Sequence, residues 1–166
     1  MSDIQVEKIN HILEGLCITA NALHPEFQPQ FDCYIEQLNF NNSLSFDENF
    51  KQFFMMYSFW KDMKKMSEHS QFIDWQFQME NIGTLNETIN HFFHRNLFSS
   101  FNVQQLEIIM QSLILHLRDL TGEFIDAQQG YISPPNKYLP AYIQHWQHLY
   151  IKGQNAEILI TFESNT

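Results

Sequence analysis

The sequence predicts a mainly α-helical fold: one domain over residues 1–166, a compact bundle of five to seven helices closed by a short C-terminal strand or an extended tail. Three observations point there. Apolar residues recur every three or four positions through most segments, as one face of a helix requires. Helix-start signatures stand at Ser45, Thr84 and Asn102. Five Gly and five Pro are few for an all-β chain, which needs a tight turn every several residues.

The first helix runs from Asp3, a suitable N-cap, to about Leu23, with Ile9, Ile12, Leu13, Leu16 and Ala20 on one face. His24-Pro25 breaks it, and Pro29 helps to start a second helix from about Gln30 to Phe40. Asn41-Asn42-Ser43 is a loop. Ser45-Phe46-Asp47-Glu48 forms a capping box, in which the Ser hydroxyl and the Glu carboxylate each satisfy an orphan backbone donor. The helix behind it, to about Met66, carries Phe50, Phe53, Phe54, Tyr57 and Trp60 on one side and Met56, Phe59, Met63 and Met66 beside them. A helix apolar over most of its girth is central to a core or docks a partner.

Ser70 to Ile82 fits a helix and a strand almost equally, and Gly83 ends it. Thr84-Leu85-Asn86-Glu87 is a second capping box, opening a helix to about Phe98. Asn102 with Gln105 caps a long helix from Val103 to about Ala127, apolar at Leu106, Ile109, Met110, Leu113, Leu117 and Leu120; Gly122 is its weak point. Ser133-Pro134-Pro135 reads as a rigid loop. Pro140 suits the first turn of a last helix to Lys152, closed by Gly153. Ala156 to Phe162 is the strand or tail.

Nineteen acids against nine bases give a net charge of −10, and the excess is lopsided. The first fifty residues hold Asp3, Glu7, Glu14, Glu26, Asp32, Glu36, Asp47 and Glu48 against a single base, Lys8. Such a field decides which partners approach and how fast. It argues against direct binding to nucleic acid, whose phosphates call for Lys and Arg, and against anionic membrane surfaces. The N-terminus lacks the basic start and apolar run of a signal peptide, and no apolar stretch is long enough to span a bilayer. Cys17 and Cys33 form no CxxC pair and no disulfide framework. A cytoplasmic protein with reduced thiols is expected.

No nucleophile elbow, phosphate loop, HExxH or EF-hand spacing is present. Arg95 and Arg118 are the only arginines, which leaves few forks for phosphate or carboxylate substrates. Cys17 falls on the apolar face of the first helix, and Asp32 beside Cys33 would raise that thiol's pKa. Lys61, Lys64 and Lys65 near a helix end need no more than its dipole to explain them.

Eight histidines are many, and four form pairs three residues apart: His91/His94 and His145/His148. On facing helices these four imidazoles would suit a divalent transition metal. The six residues Asn90 to Arg95 are similar to an HxxHR-like metal motif of DinB-type helical bundles, a likeness confined to those six residues. Chance spacing in a His-rich chain, at the edge of an aromatic core, accounts for the pairs as well.

The function expected is therefore binding. A small acidic cytosolic protein without a catalytic motif fits an inhibitor of immunity or antitoxin type. Its partner would be a basic protein such as a toxin nuclease or another nucleic-acid-handling enzyme, neutralised by occlusion. The partner-binding candidates are Glu26, Asp32, Tyr34, Glu36, Asp47 and Glu48: carboxylates for the charge, an aromatic for the anchor. No catalytic residue and no cofactor is expected. Two alternatives stand beside this: a metal-dependent helical-bundle enzyme using the histidine pairs, and a structural subunit or adaptor whose aromatic helix packs on its own copy.

Overall fold

The structure, a computed structural model, describes residues 2–23, 31–56, 76–97, 102–133 and 145–164. Its centre is a five-stranded antiparallel sheet with helices on both faces, so the helical bundle expected from the sequence is overturned. In chain order the elements are α1 (Ser2–Leu23), β1 (Phe31–Leu38), α2 (Phe46–Met56), β2 (Gln76–Glu80), α3 (Leu85–Asn96), α4 (Val103–Thr121), β3 (Phe124–Ser133), β4 (His145–Gly153) and β5 (Glu157–Ser164). The sheet order is β1-β5-β4-β3-β2.

Three segments read as helix are strand, each for a physical reason. In β1 the buried residues Cys33 and Ile35 alternate with Asp32, Tyr34 and Glu36, a period of two that the acids at 32 and 36 also let pass as one helix face. β4 is buried on both sides, with Leu149 and Ile151 facing one way and His148 and Tyr150 the other. A strand covered on both faces loses its polar-apolar alternation and can pass for a helix. The long helix stops at Thr121 instead of Ala127, because Gly122 adopts φ 74° as its C-cap and its N–H returns to the Arg118 carbonyl. Beyond that cap the chain extends into β3.

Other readings hold. Both capping boxes are present: Ser45 with Glu48, and Thr84 with Glu87. The Asn102 side chain accepts from the Gln105 N–H at 2.9 Å. The C-terminal strand is β5, a central strand buried almost throughout. Ser70 to Ile82 yields β2 over Gln76–Glu80, and Gly83 comes after it at φ 73°. Tyr57 to Met66, the Pro134-Pro135 loop and Pro140 lie outside the described residues.

The larger core fills one face of the sheet. Ile9, Leu13, Leu16 and Cys17 of α1, Ile89, Phe92 and Phe93 of α3, and Met110, Leu113, Leu117 and Leu120 of α4 pack on Cys33, Ile35, Ala127, Leu149, Ile151, Ile158, Ile160 and Phe162. Each fully buried Phe or Leu contributes on the order of 2 kcal/mol. On the opposite face α2 sets Phe46, Phe50 and Phe53 against Leu38, Phe40, Tyr150 and Leu159, with Phe46 and Tyr150 edge to face at 5.0 Å. Among the described residues no helix is long and apolar enough to cross a membrane.

Candidate functional site

β1 is an edge strand, and α1 lies along it. An exposed edge presents unpaired backbone groups that invite another strand. Here Asn10 closes part of it: its Oδ1 accepts from the Ile35 N–H at 2.7 Å, and its Nδ2 donates to the Ile35 carbonyl at 3.3 Å. One side chain thus stands in for a neighbouring strand and fixes the rotation of α1. Asp3, Glu7 and Asn10 recur at intervals of four and three, so they share a helix stripe. The clamp at Asn10 turns that stripe toward β1.

Between the two elements runs an open groove of about 480 Å³, lined by Asp3, Val6, Glu7, Asn10, His11, Ile35, Glu36 and Gln37. Val6 and Ile35 belong to the core behind it; Asp3, Glu7 and Glu36 bring carboxylates from both walls. Glu36 is held partly out of water, and its Oε2 has no hydrogen-bond partner among the described residues. Burial first, and the nearby Glu163 second, push its carboxyl up to about 7.

Glu163 arrives from β5, where it pairs directly with Asp32. Like charges placed opposite one another repel. Burial, then Asp32, raise the Glu163 carboxyl, while the hydrogen bond from Tyr34 acts in the other direction. The Tyr34 hydroxyl donates to Glu163 Oε1 at 2.9 Å. Burial and the adjacent carboxylates raise the phenol well above its usual range, so it remains a donor.

Behind Tyr34 in the same row of the sheet come Thr161 and His148, the latter fully buried. His148 Nε2 lies 3.1 Å from the Ile132 carbonyl, which only accepts, so Nε2 carries the proton. Nδ1 then accepts from the Thr161 hydroxyl at 3.1 Å. Burial drives this imidazole down to about 3, which keeps it neutral.

Of the expected partner-binding residues, Asp32, Tyr34 and Glu36 share one face of β1. Asp47 and Glu48 sit in the first turn of α2 and do not line the groove. Glu48 is occupied by the cap: it accepts from the Ser45 N–H and hydroxyl, which lower its pKa. Glu26 lies outside the described residues. Sequence reasoning passed over Asn10 and Glu163 and left Asp3 and Glu7 as mere charge. The three-four spacing of Asp3, Glu7 and Asn10 was a legible signal; nothing local announced Glu163.

The histidine pairs are not brought together. His91 and His94 are exposed on α3, where His91 Nδ1 lies 2.7 Å from Gln129 Nε2 on the large-core face. Positions 145 and 148 belong to a strand, so a spacing of three puts them on opposite faces. His148 lies on the face away from α3, engaged as above. Among the described residues no three of His, Cys, Asp and Glu form a metal-binding group. The chain matches no protein-family model, and no curated protein or solved structure resembles it closely enough to lend it a family.

Proposed function

We propose that the protein acts by binding a basic protein partner, seating a lysine or arginine side chain in the groove between α1 and β1. An inhibitor of immunity or antitoxin type, occluding an enzyme that handles nucleic acid, is the form of this reading that suits the chain. The observation that carries it is the groove's composition: an apolar floor of Val6 and Ile35 with Asp3, Glu7 and Glu36 around it. Lysine and arginine lay an aliphatic stem on apolar surface and project a charge from its end. An arriving cation also compensates the Glu36 carboxylate, which otherwise faces Glu163 with no cationic neighbour acting on it among the described residues. The wider negative field adds steering, which speeds encounter and weakens as salt rises.

The test is a pull-down with tagged wild-type protein and an Asp3→Lys/Glu7→Lys variant, washed at low and then high salt and read by mass spectrometry. Both substituted residues are exposed and lie outside the buried core. The reading predicts a basic protein held by the wild type, released by salt, and reduced at least about tenfold on the variant, in line with the loss of close charge pairs at an interface. Equal capture by both proteins, or capture indifferent to salt, contradicts it.

A further inference from the structure

The three carboxylates of the groove stand in different surroundings. Asp3 and Glu7 are exposed on α1, within reach of water. Glu36 is only partly exposed on β1, and its Oε2 is enclosed by protein with no hydrogen-bond partner among the described residues. Its pairing partner on β5 is Leu159, a fully buried apolar residue with no side-chain donor to offer. An ionised carboxylate needs donors to replace the water it loses on burial. The charges around it add to the difficulty. From α1, Asp3, Glu7 and His11 face the groove. On its own strand Glu36 shares a face with Asp32 and Tyr34; from β5, Glu163 joins that face opposite Asp32 and accepts from the Tyr34 hydroxyl at 2.9 Å. α2 packs on Leu38 at the end of the strand and contributes no lining residue. Neither lysine nor arginine lines the groove. A carboxyl so placed keeps its proton close to neutral pH, in keeping with its rise to about 7.

We infer, resting on the binding reading above, that the groove is a cation–proton exchange site: the lysine or arginine side chain that enters it displaces the proton of Glu36, so the partner is held at neutral to alkaline pH and released on acidification. The exchange conserves charge. The neutral Glu36 carboxyl gives its proton to solvent and becomes a carboxylate, while the incoming ammonium or guanidinium keeps its own protons. No bond between heavy atoms forms or breaks. The direction follows from the groove's two states. Without a partner, burial and neighbouring acids favour the neutral carboxyl; with a cation alongside, the charged form is favoured. The complex therefore carries fewer protons than the free protein. Affinity rises with pH and levels once Glu36 is already ionised in the free protein. The Asn10 clamp on Ile35 keeps α1 in place beside Glu36, so the site is formed before the partner arrives.

The experiment is isothermal titration calorimetry of the full chain with an N-acetylated, C-amidated peptide of lysine, arginine and alanine, which has no group that titrates between about pH 6 and about pH 8. Ionic strength is held constant, and each pH is run in buffers of different ionisation enthalpy to count protons. The wild type is expected to bind about tenfold more weakly near pH 6 than near pH 8, releasing about one proton per peptide near pH 6 and almost none near pH 8. Glu36→Gln, which cannot ionise, is expected to bind with one weak affinity throughout and to release no proton. His11→Gln, which removes the other titratable group on the α1 wall, is expected to keep the wild-type dependence. Equal wild-type affinity at both pH values with no proton released overturns the exchange and leaves the groove reading standing. So does a pH dependence that persists in Glu36→Gln or disappears in His11→Gln. Failure to bind at either pH overturns the groove reading, and the exchange with it.

Discussion

Glu36 is a carboxyl group that the fold makes costly to ionise. Its pKa rises from 4.5 to about 7 through burial and Glu163, so the folded protein holds a proton there that the unfolded chain releases. Its contribution to stability is therefore greatest below about pH 4.5, falls as pH rises toward about 7, and then levels. Partial exposure screens the effect, and we put the loss on the order of 2 kcal/mol. Glu36→Gln, which mimics the protonated form, should match wild type near pH 4.5 and exceed it by about that amount near pH 8 in urea denaturation. His148 works in the opposite sense. Its pKa falls from 6.5 to about 3, so its contribution is complete above about pH 6.5 and is lost as pH falls toward 3. His148→Ala should cost about 2–4 kcal/mol at neutral pH by thermal or urea unfolding, because it opens a cavity and strands the Thr161 hydroxyl and the Ile132 carbonyl. At this scale the sequence was partly legible. Asp32, Tyr34 and Glu36 were named together as binding candidates for their charge and aromatic character, but that they share one face follows only from the strand's period of two. Glu163, far along the chain, became their neighbour only through the pairing of β1 with β5.

Helix starts were legible because a cap is a local transaction: Thr84 and Glu87, or Ser45 and Glu48, settle it within four residues. Strands in a sheet are settled by partners far away. β4 and β5 lie between other strands and are buried on both faces, so neither shows the alternation that would have marked it. β1 did show it, in Cys33 and Ile35 against Tyr34 and Glu36. The element most open to test is the clamp between α1 and β1. Asn10→Ala removes two hydrogen bonds to Ile35 and leaves that residue's N–H and carbonyl facing outward. We expect a loss of about 1–2 kcal/mol in urea denaturation. Light scattering should also reveal self-association, since the uncovered edge can pair with another strand.

For the molecule as a whole, the charge excess of the first fifty residues was visible at once, but its arrangement was not. Five of those acids fall in two places. Asp3, Glu7 and Glu36 meet at the groove, whereas Asp47 and Glu48 serve the first turn of α2 on the other side of the sheet. The fold also separates the histidine pairs that a bundle would have faced together, because β4 is a strand. An antiparallel sheet with helices on both faces is thus a scaffold for one acidic seam, and binding at that seam is the function we propose. The most direct test is a nuclear magnetic resonance titration of the labelled protein with a short lysine- and arginine-rich peptide at low salt. Binding at the seam predicts saturable amide shifts concentrated on Val6 to His11 and Ile35 to Gln37, and their loss as salt rises. Shifts centred on Asp47 and Glu48, or spread evenly over the acidic surface, would contradict it.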